Sequence, residues 1–244
     1  NFFLVFGFCL YYNVYISLNK ICITTLLGEN MKNRRQGQSR CLTKKEIQDV
    51  IQFQKNSRHS IRNICLVNMS VLLGMRVGEI ANLKMNQVIN DDWSIKDQVV
   101  LLKEHTKSKK NRVVYLVHKE VRKSLTDYIN YRKESDGNVR SNPFLENMKK
   151  YFDKPLFISQ KNGAFSPRSL QRLYKSMYRA VRLDEMVSSH SGRRTFITNL
   201  ITQGIDMKTV STLAGHSSIQ TTVDTYAVAN PNKMEMVCRN ISIN

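Results

Sequence analysis

Residues 188–226 read SSHSGRRTFITNLITQGIDMKTVSTLAGHSSIQTTVDTY, and the punctuation of this stretch decides the fold. An apolar-periodic run predicts one helix over residues 190–202, which Gly204 ends. Asp206 offers a capping oxygen to a shorter helix that carries Val210 and Leu213 and stops at Gly215. Ser217 or Ser218 caps a third helix, which carries Ile219 and ends near Tyr226. His190 and Arg193 lie three residues apart and share one helix face, whereas Arg194 is turned away by roughly 100°. His216 sits at the N-terminal end of the third helix, where backbone N–H groups favour an anionic oxygen.

The same reading extends toward the N-terminus. Ser166-Pro167 starts a helix over 168–182 that carries Arg168 and Arg172. Residues 134–150 are polar and broken by Gly137 and Pro143, which predicts a surface loop, and a helix over 119–133 precedes them. Two β-rich runs, 98–103 and 112–117, flank the segment EHTKSKKN. They predict a hairpin whose basic tip holds Lys107, Lys109 and Lys110, with Arg112 on the returning strand. Gly74 stops a helix containing Ile61, Ile64, Val67 and Val71; Arg76 follows in a short turn, and residues 77–83 read as a further helix. Thr43 and Glu46 form a capping-box pair at the start of the first helix. The expected fold is mainly α with one small antiparallel β-hairpin, an α+β domain.

Composition narrows the partner. In 244 residues, 38 Lys and Arg stand against 19 Asp and Glu, a formal net charge of +19. The pI is near 9.9. Such a surface suits a polyanion; nucleic acid leads, and membrane surfaces and acidic proteins also meet the requirement. A hydrophobic fraction of 41% supports one main core and at most a small second module. The five cysteines, Cys9, Cys22, Cys41, Cys65 and Cys238, show no C-x-x-C pair and no histidine at metal-ligand spacing. Neither a disulfide framework nor a zinc site is expected, and a reducing cytoplasm fits. No phosphate-binding glycine loop or carboxylate cluster occurs.

Residues 1–19 carry no charge and are long enough to be read as a membrane span. They lack a basic flank before them and a starting Met, and the text changes character at Met31, which opens MKNRRQGQSRCLTKKE. The expectation is that residues 1–30 are translated upstream sequence. A signal-anchor with its basic flank on the cytoplasmic side is the rival reading.

Four places carry groups suited to phosphodiester chemistry: Arg76, Lys107, His190 with Arg193, and His216 with Tyr226. Phosphoryl transfer without a metal must neutralise the non-bridging oxygens with side chains, and guanidinium forks do so bidentately at any working pH. LLGMRVGEIANLKMNQV, TKSKKNRVVYL, SSHSGRRTFITNL and LAGHSSIQTTVDTY resemble, in order, the first arginine box, the hairpin lysine segment, the H-x-x-R box and the terminal histidine-tyrosine box of the tyrosine recombinases, or phage-type integrases. The resemblance covers residues 43–230 and implies that family's catalytic-domain fold.

It also implies roles. Arg76 and Arg193 clamp the phosphate, with Glu79 supporting Arg76 at helical spacing. Lys107 is the general acid for the departing 5′ oxygen, an assignment for which Lys109 and Lys110 compete. His190 serves as proton acceptor or orienting partner, His216 donates a hydrogen bond, and Tyr226 is the nucleophile. Lys109, Lys110, Arg112, Arg168, Arg172 and Arg194 are expected on DNA, with a carboxylate as the other partner considered for Arg194. Gly192 departs from the pattern, since many family members carry leucine there. The resemblance implies no metal or organic cofactor, no small-molecule substrate, double-stranded DNA sites as partner, a homotetramer on DNA and DNA-bending accessory proteins. Residues 31–230 would form the catalytic domain. The tail 231–244, with Met234, Val237 and Ile241 at helical spacing, would dock on its own core or on a neighbouring subunit. With no room between Met31 and Thr43 for a separate DNA-binding domain, the layout is similar to that of short fimbrial phase-variation recombinases, a fragment of a longer integrase being the other reading. A type IB topoisomerase and a non-catalytic recombinase-derived regulator are the rival functions.

Overall fold

One helix, Ser60–Leu73, is buried along nearly its whole length, not only at Cys65, Leu66, Val67, Met69, Val71 and Leu73 but also at the polar Arg62, Asn63, Asn68 and Ser70. A helix enclosed on so many sides lies inside, and the others pack around it. The computed structural model describes residues 39–101, 111–135 and 151–229, of which 226–229 are given by their backbone alone. In chain order the elements are α1 (Lys44–Lys55), α2 (Ser60–Leu73), α3 (Val77–Ala81), α4 (Met85–Val88), β1 (Gln98–Leu101), β2 (Arg112–Tyr115), α5 (Lys119–Ser135), α6 (Pro167–Ala180), α7 (Ser191–Thr202), α8 (Met207–Ala214) and α9 (Ile219–Ala229). Helix α2 is flanked by α5 and α7, with α1 also against it.

Local chemistry sets the boundaries. The Thr43 hydroxyl accepts from the Glu46 N–H, and the Glu46 carboxylate accepts from the Thr43 N–H, the reciprocal box expected at the start of α1. Arg40 pairs with both Glu46 and Asp184, and the Leu42 N–H donates to Thr195 Oγ1, which fastens the beginning of the domain to α7. Helix α2 stops at Gly74, whose φ of 59° is left-handed, and a Cβ there would meet the Phe196 ring at 2.3 Å.

Gly192 has a comparable reason. A Cβ at that position would fall 2.3 Å from Ser70 Oγ and 3.0 Å from Ser70 Cβ. The first turn of α7 therefore rests directly on Ser70 and Val71 of α2, with no room for leucine.

The strands are antiparallel in the register Gln98↔Tyr115 to Leu101↔Arg112, with Val99, Leu101 and Val114 turned inward and Val100 and Tyr115 exposed. Strand β2 ends at Tyr115, two residues short of the run 112–117, and β1 is described as far as Leu101. The basic tip, with Lys107, Lys109 and Lys110, lies outside the described residues, as do residues 1–38, 136–150 and 230–244. The helix expected over 77–83 is corrected: α3 ends at Ala81 because the chain turns to pair with 154–156, where the Leu156 N–H donates to the Leu83 carbonyl at 2.7 Å and the Met85 N–H donates to the Lys154 carbonyl at 3.0 Å. Helix α4, which the sequence reading did not contain, follows that pairing. The last helix continues past Tyr226 to Ala229.

The main core joins α1 to α6 and the hairpin, and a satellite of Ile197, Ile201, Val210 and Ala214, with Phe196, Leu200 and Met207, seals α7 to α8. Among the described residues no helix is long and apolar enough to cross a membrane.

Candidate active site

Two helices, α2 and α8, end the same way, at a left-handed glycine: Gly74 at φ 59° and Gly215 at φ 62°. A helix C-terminus leaves carbonyls without intrahelical donors and a partial negative charge. Here guanidinium groups satisfy them. Arg193, near the start of α7, is buried and donates through Nη1 to the Gly74 carbonyl at 2.6 Å and through Nη2 to the Ala214 carbonyl, so one side chain joins both helix ends. Arg112, the first residue of β2, donates to the Leu213 carbonyl at 2.9 Å, to the Leu73 carbonyl at 3.2 Å and to Glu79 Oε2 at 2.6 Å. Arg76 donates to Glu79 Oε1 and to the Gly215 carbonyl, both at 2.7 Å.

Charge decides what this arrangement can hold. Three guanidiniums face one carboxylate, Glu79, and two helix ends worth roughly half a negative charge each, which leaves a surplus of about one positive charge. The Glu79 side chain is 1% exposed and that of Arg112 is 2%, whereas that of Arg76 is 19%, so the surplus reaches solvent at Arg76. Burial alone would raise the Glu79 carboxyl, but Arg112 and Arg76 outweigh it and hold its pKa below the ordinary value. Burial, and then the charges of Arg76 and Arg112, push Arg193 down, yet a guanidinium stays protonated in water. A pocket built for helix capping alone needs no such excess; an anion does.

His216 follows Gly215 and shares the site. Burial, and then the charges of Arg193, Arg76 and Arg112, lower its pKa to about 4, which keeps it neutral at neutral pH. Its Nδ1 lies 2.7 Å from Thr222 Oγ1 on α9. Helix α9 packs on α7 and α8 and carries Tyr226 one turn beyond Thr222, at the same-face spacing of four residues. The structure gives Tyr226 by its backbone. Arg194 donates to the Thr225 carbonyl at 3.2 Å, so it ties α7 to the residue before Tyr226, and its buried Nε has no partner among the described residues.

His190 is the exposed N-cap of α7, at φ −88° and ψ −14°, three residues before Arg193, and its carbonyl accepts from the Arg194 N–H at 3.0 Å. Arg168 and Arg172 are exposed on α6. Arg112, expected on the DNA-facing surface, is enclosed: Glu79 Oε2 and the Leu213 and Leu73 carbonyls give its buried guanidinium three acceptors in place of solvent. Gly215 makes this possible, since a Cβ there would lie 2.4 Å from Arg112 Cδ. Sequence reasoning missed the carbonyls of residues 213–215 as partners, and it missed Thr222, although its place four residues before Tyr226 was a usable signal.

Fold and site together define a mainly helical domain that presents excess guanidinium charge beside a tyrosine-bearing helix. The model of the phage integrase family matches residues 40–233. A relative, tyrosine recombinase XerC from Leptospira interrogans serogroup Icterohaemorrhagiae serovar copenhageni, is 25% identical over 197 residues, covering 80% of this chain and 56% of its own. Transposase A from transposon Tn554 of Staphylococcus aureus is 27% identical over 203 residues, covering 81% and 51%. Among solved structures, XerA recombinase superposes with a TM-score of 0.65 at 22% identity over 85% of this chain and 67% of that one. The Tn1549 transposon integrase in complex with transposon right end DNA gives 0.57 at 18% over 81% and 66%. The chain belongs to the phage integrase family, with the tyrosine recombinase catalytic-domain fold. It spans about half the length of the curated relatives it matches.

Proposed function

We propose that this domain breaks and rejoins DNA strands as a tyrosine site-specific recombinase. The observation that carries the reading is the surplus of guanidinium charge where Arg76, Arg112 and Arg193 meet at the ends of α2 and α8 beside His216. A scissile phosphodiester anion matches that surplus. Arg76 and Arg193 hold its non-bridging oxygens, Glu79 and Arg112 fix Arg76 from beneath, and His216 donates to an oxygen. The Tyr226 phenol oxygen attacks phosphorus, the bond to the 5′ oxygen breaks, and the electron pair leaves with that oxygen. Lys107 protonates it, and His190 takes the phenol proton or orients the group that does. The product is a 3′-phosphotyrosyl link and a free 5′ hydroxyl. The partner strand's 5′ hydroxyl then reverses the step, so bond energy is kept and no ATP is consumed.

The partners of this reading are double-stranded recombination sites, four copies of the chain assembled on them, and proteins that bend DNA. The relatives named as Tn1549 integrase, XerH and lambda integrase were solved with DNA bound, which supports the first of these. Lys109, Lys110, Arg168 and Arg172 contact the backbone, and Arg194 instead seats α9. The reaction takes place in the cytoplasm, where the free thiols of Cys41 and Cys65 would stay reduced.

The test uses nicked suicide duplexes made from the repeats flanking the gene. A covalent protein–DNA adduct forms with the parent protein and is abolished in Tyr226→Phe. An adduct that persists in that variant removes Tyr226 from its role, and relaxed circles without recombinants point to a topoisomerase instead.

A further inference from the structure

Threonines within helices usually turn their hydroxyl back to the carbonyl one turn earlier. Thr195 does so to Ser191 at 2.9 Å, Thr212 to Lys208 at 2.9 Å and Thr225 to Thr221 at 2.7 Å. Thr222 does not. It is fully buried, and among the described residues its Oγ1 has a single hydrogen-bond partner, Nδ1 of His216 at 2.7 Å.

That single partner fixes the direction of the bond. A neutral imidazole has one N–H and one acceptor nitrogen. If Nδ1 carried the hydrogen, it would donate to Thr222, and the threonine's own O–H would be left buried without an acceptor, at the cost of an unmade hydrogen bond. If Thr222 donates to Nδ1, both groups are satisfied and the ring hydrogen lies on Nε2. The ring is neutral in this setting because burial and the charges of Arg193, Arg76 and Arg112 disfavour the imidazolium, which would otherwise protonate both nitrogens.

We infer that Thr222 is a positioning residue: its hydroxyl donates to Nδ1 of His216 and locks the imidazole in the Nε2–H tautomer, which makes Nε2 a hydrogen-bond donor toward the anion held by the arginines. The inference rests on the strand-transfer reading for its consequence in the reaction and on the local geometry for the tautomer itself. It also couples two events. Thr222 stands on α9, one turn before Tyr226, so the donor is set only while the helix that carries the nucleophile is seated on α8. With α9 lifted, nothing else among the described residues selects the tautomer, and an Nε2 lone pair facing phosphate oxygens would repel them.

The experiment compares the parent with Thr222→Val, which keeps the shape and loses the hydroxyl, and Thr222→Ser, which keeps the hydroxyl. Nitrogen-15 NMR of histidine-labelled protein reads the tautomer without any reaction. The parent and Thr222→Ser show Nε2 protonated, and Thr222→Val shows a mixture. Single-turnover cleavage of suicide duplexes falls about tenfold in Thr222→Val, the worth of one hydrogen bond, and stays within about twofold in Thr222→Ser, with DNA affinity the same in all three. Nδ1 protonation in the parent overturns the inference, as does parental cleavage by Thr222→Val. If Thr222→Val does not fold, the parent and Thr222→Ser spectra still decide the tautomer. An adduct-forming parent with the Nδ1–H tautomer refutes this inference alone, whereas an Nε2–H tautomer in a parent that forms no adduct upholds the lock and refutes the proposed function.

Discussion

A buried arginine is not by itself a site. Arg132 is 1% exposed and donates to the Pro155 and Leu156 carbonyls, and Arg62 is 4% exposed, donates to the Ile158 carbonyl and lies over the Phe165 ring. What separates Arg76 and Arg193 is convergence with the Arg112 guanidinium on two helix ends beside His216, Arg76 and Arg112 sharing Glu79 and Arg193 joining the Gly74 and Ala214 carbonyls. Replacing Arg76 or Arg193 by alanine should lower cleavage by about 10²–10³ while DNA affinity changes little, because many other basic residues still hold the backbone. Arg193→Ala should also lower the melting temperature more than Arg76→Ala, since it leaves two buried carbonyls without donors. Comparable losses of cleavage and affinity would mean that the arginines only bind.

His216 sets a pH dependence at the same scale. Its folded pKa of about 4 lies below the unfolded value near 6.5. The unfolded chain therefore binds the proton more readily, and the stability that the neutral ring contributes is complete above about pH 6.5 and is lost as pH falls toward 4. His59, also lowered by burial and then by Arg62 and Arg58, acts in the same window, so the difference from a variant isolates His216. The melting temperature should fall from pH 7 to pH 5 in the parent and fall less in His216→Gln; equal slopes would place the ring in a solvated, unperturbed setting.

Among the elements, the helices were legible because caps and glycines mark them locally. Thr43 with Glu46, Ser166 with Pro167, Asp206, Gly74 and Gly215 each stand where the sequence reading put a boundary. The break between α3 and α4 was not legible, because its cause is pairing with residues 154–156, about seventy positions away. The site divided in the same way. Arg76, Arg193 and His216 were singled out by residue type and by their resemblance to the family's boxes, and the structure brings them together. The burial of Arg112 depends on Gly215, a residue distant in sequence, and a basic residue after a lysine-rich tip reads as surface until that contact is known. Gly192 carries the element-scale prediction: Gly192→Leu should destabilise the domain by about 1–3 kcal/mol in urea unfolding through the overlap with Ser70. Ser70→Gly should recover part of that loss, and an unchanged midpoint in Gly192→Leu would show that α7 does not rest on α2 as described.

For the whole molecule, on the proposed function, the net charge of +19 and the exposed Arg168 and Arg172 would supply general affinity for DNA, and the geometry at the ends of α2 and α8 would supply the chemistry. The two are separable, which is why binding and cleavage should respond to different substitutions. The central claim is that Arg76 and Arg193 surround one phosphorus atom within reach of the Tyr226 oxygen. The most direct measurement is a crystal structure of the protein on its cognate DNA, nicked at the scissile position, with vanadate in place of the phosphate. The vanadium should be five-coordinate, with the Tyr226 oxygen at one apex and with Arg76, Arg193 and His216 Nε2 on the equatorial oxygens. Vanadium bound away from the two arginines, or bonded to an oxygen other than that of Tyr226, would contradict it.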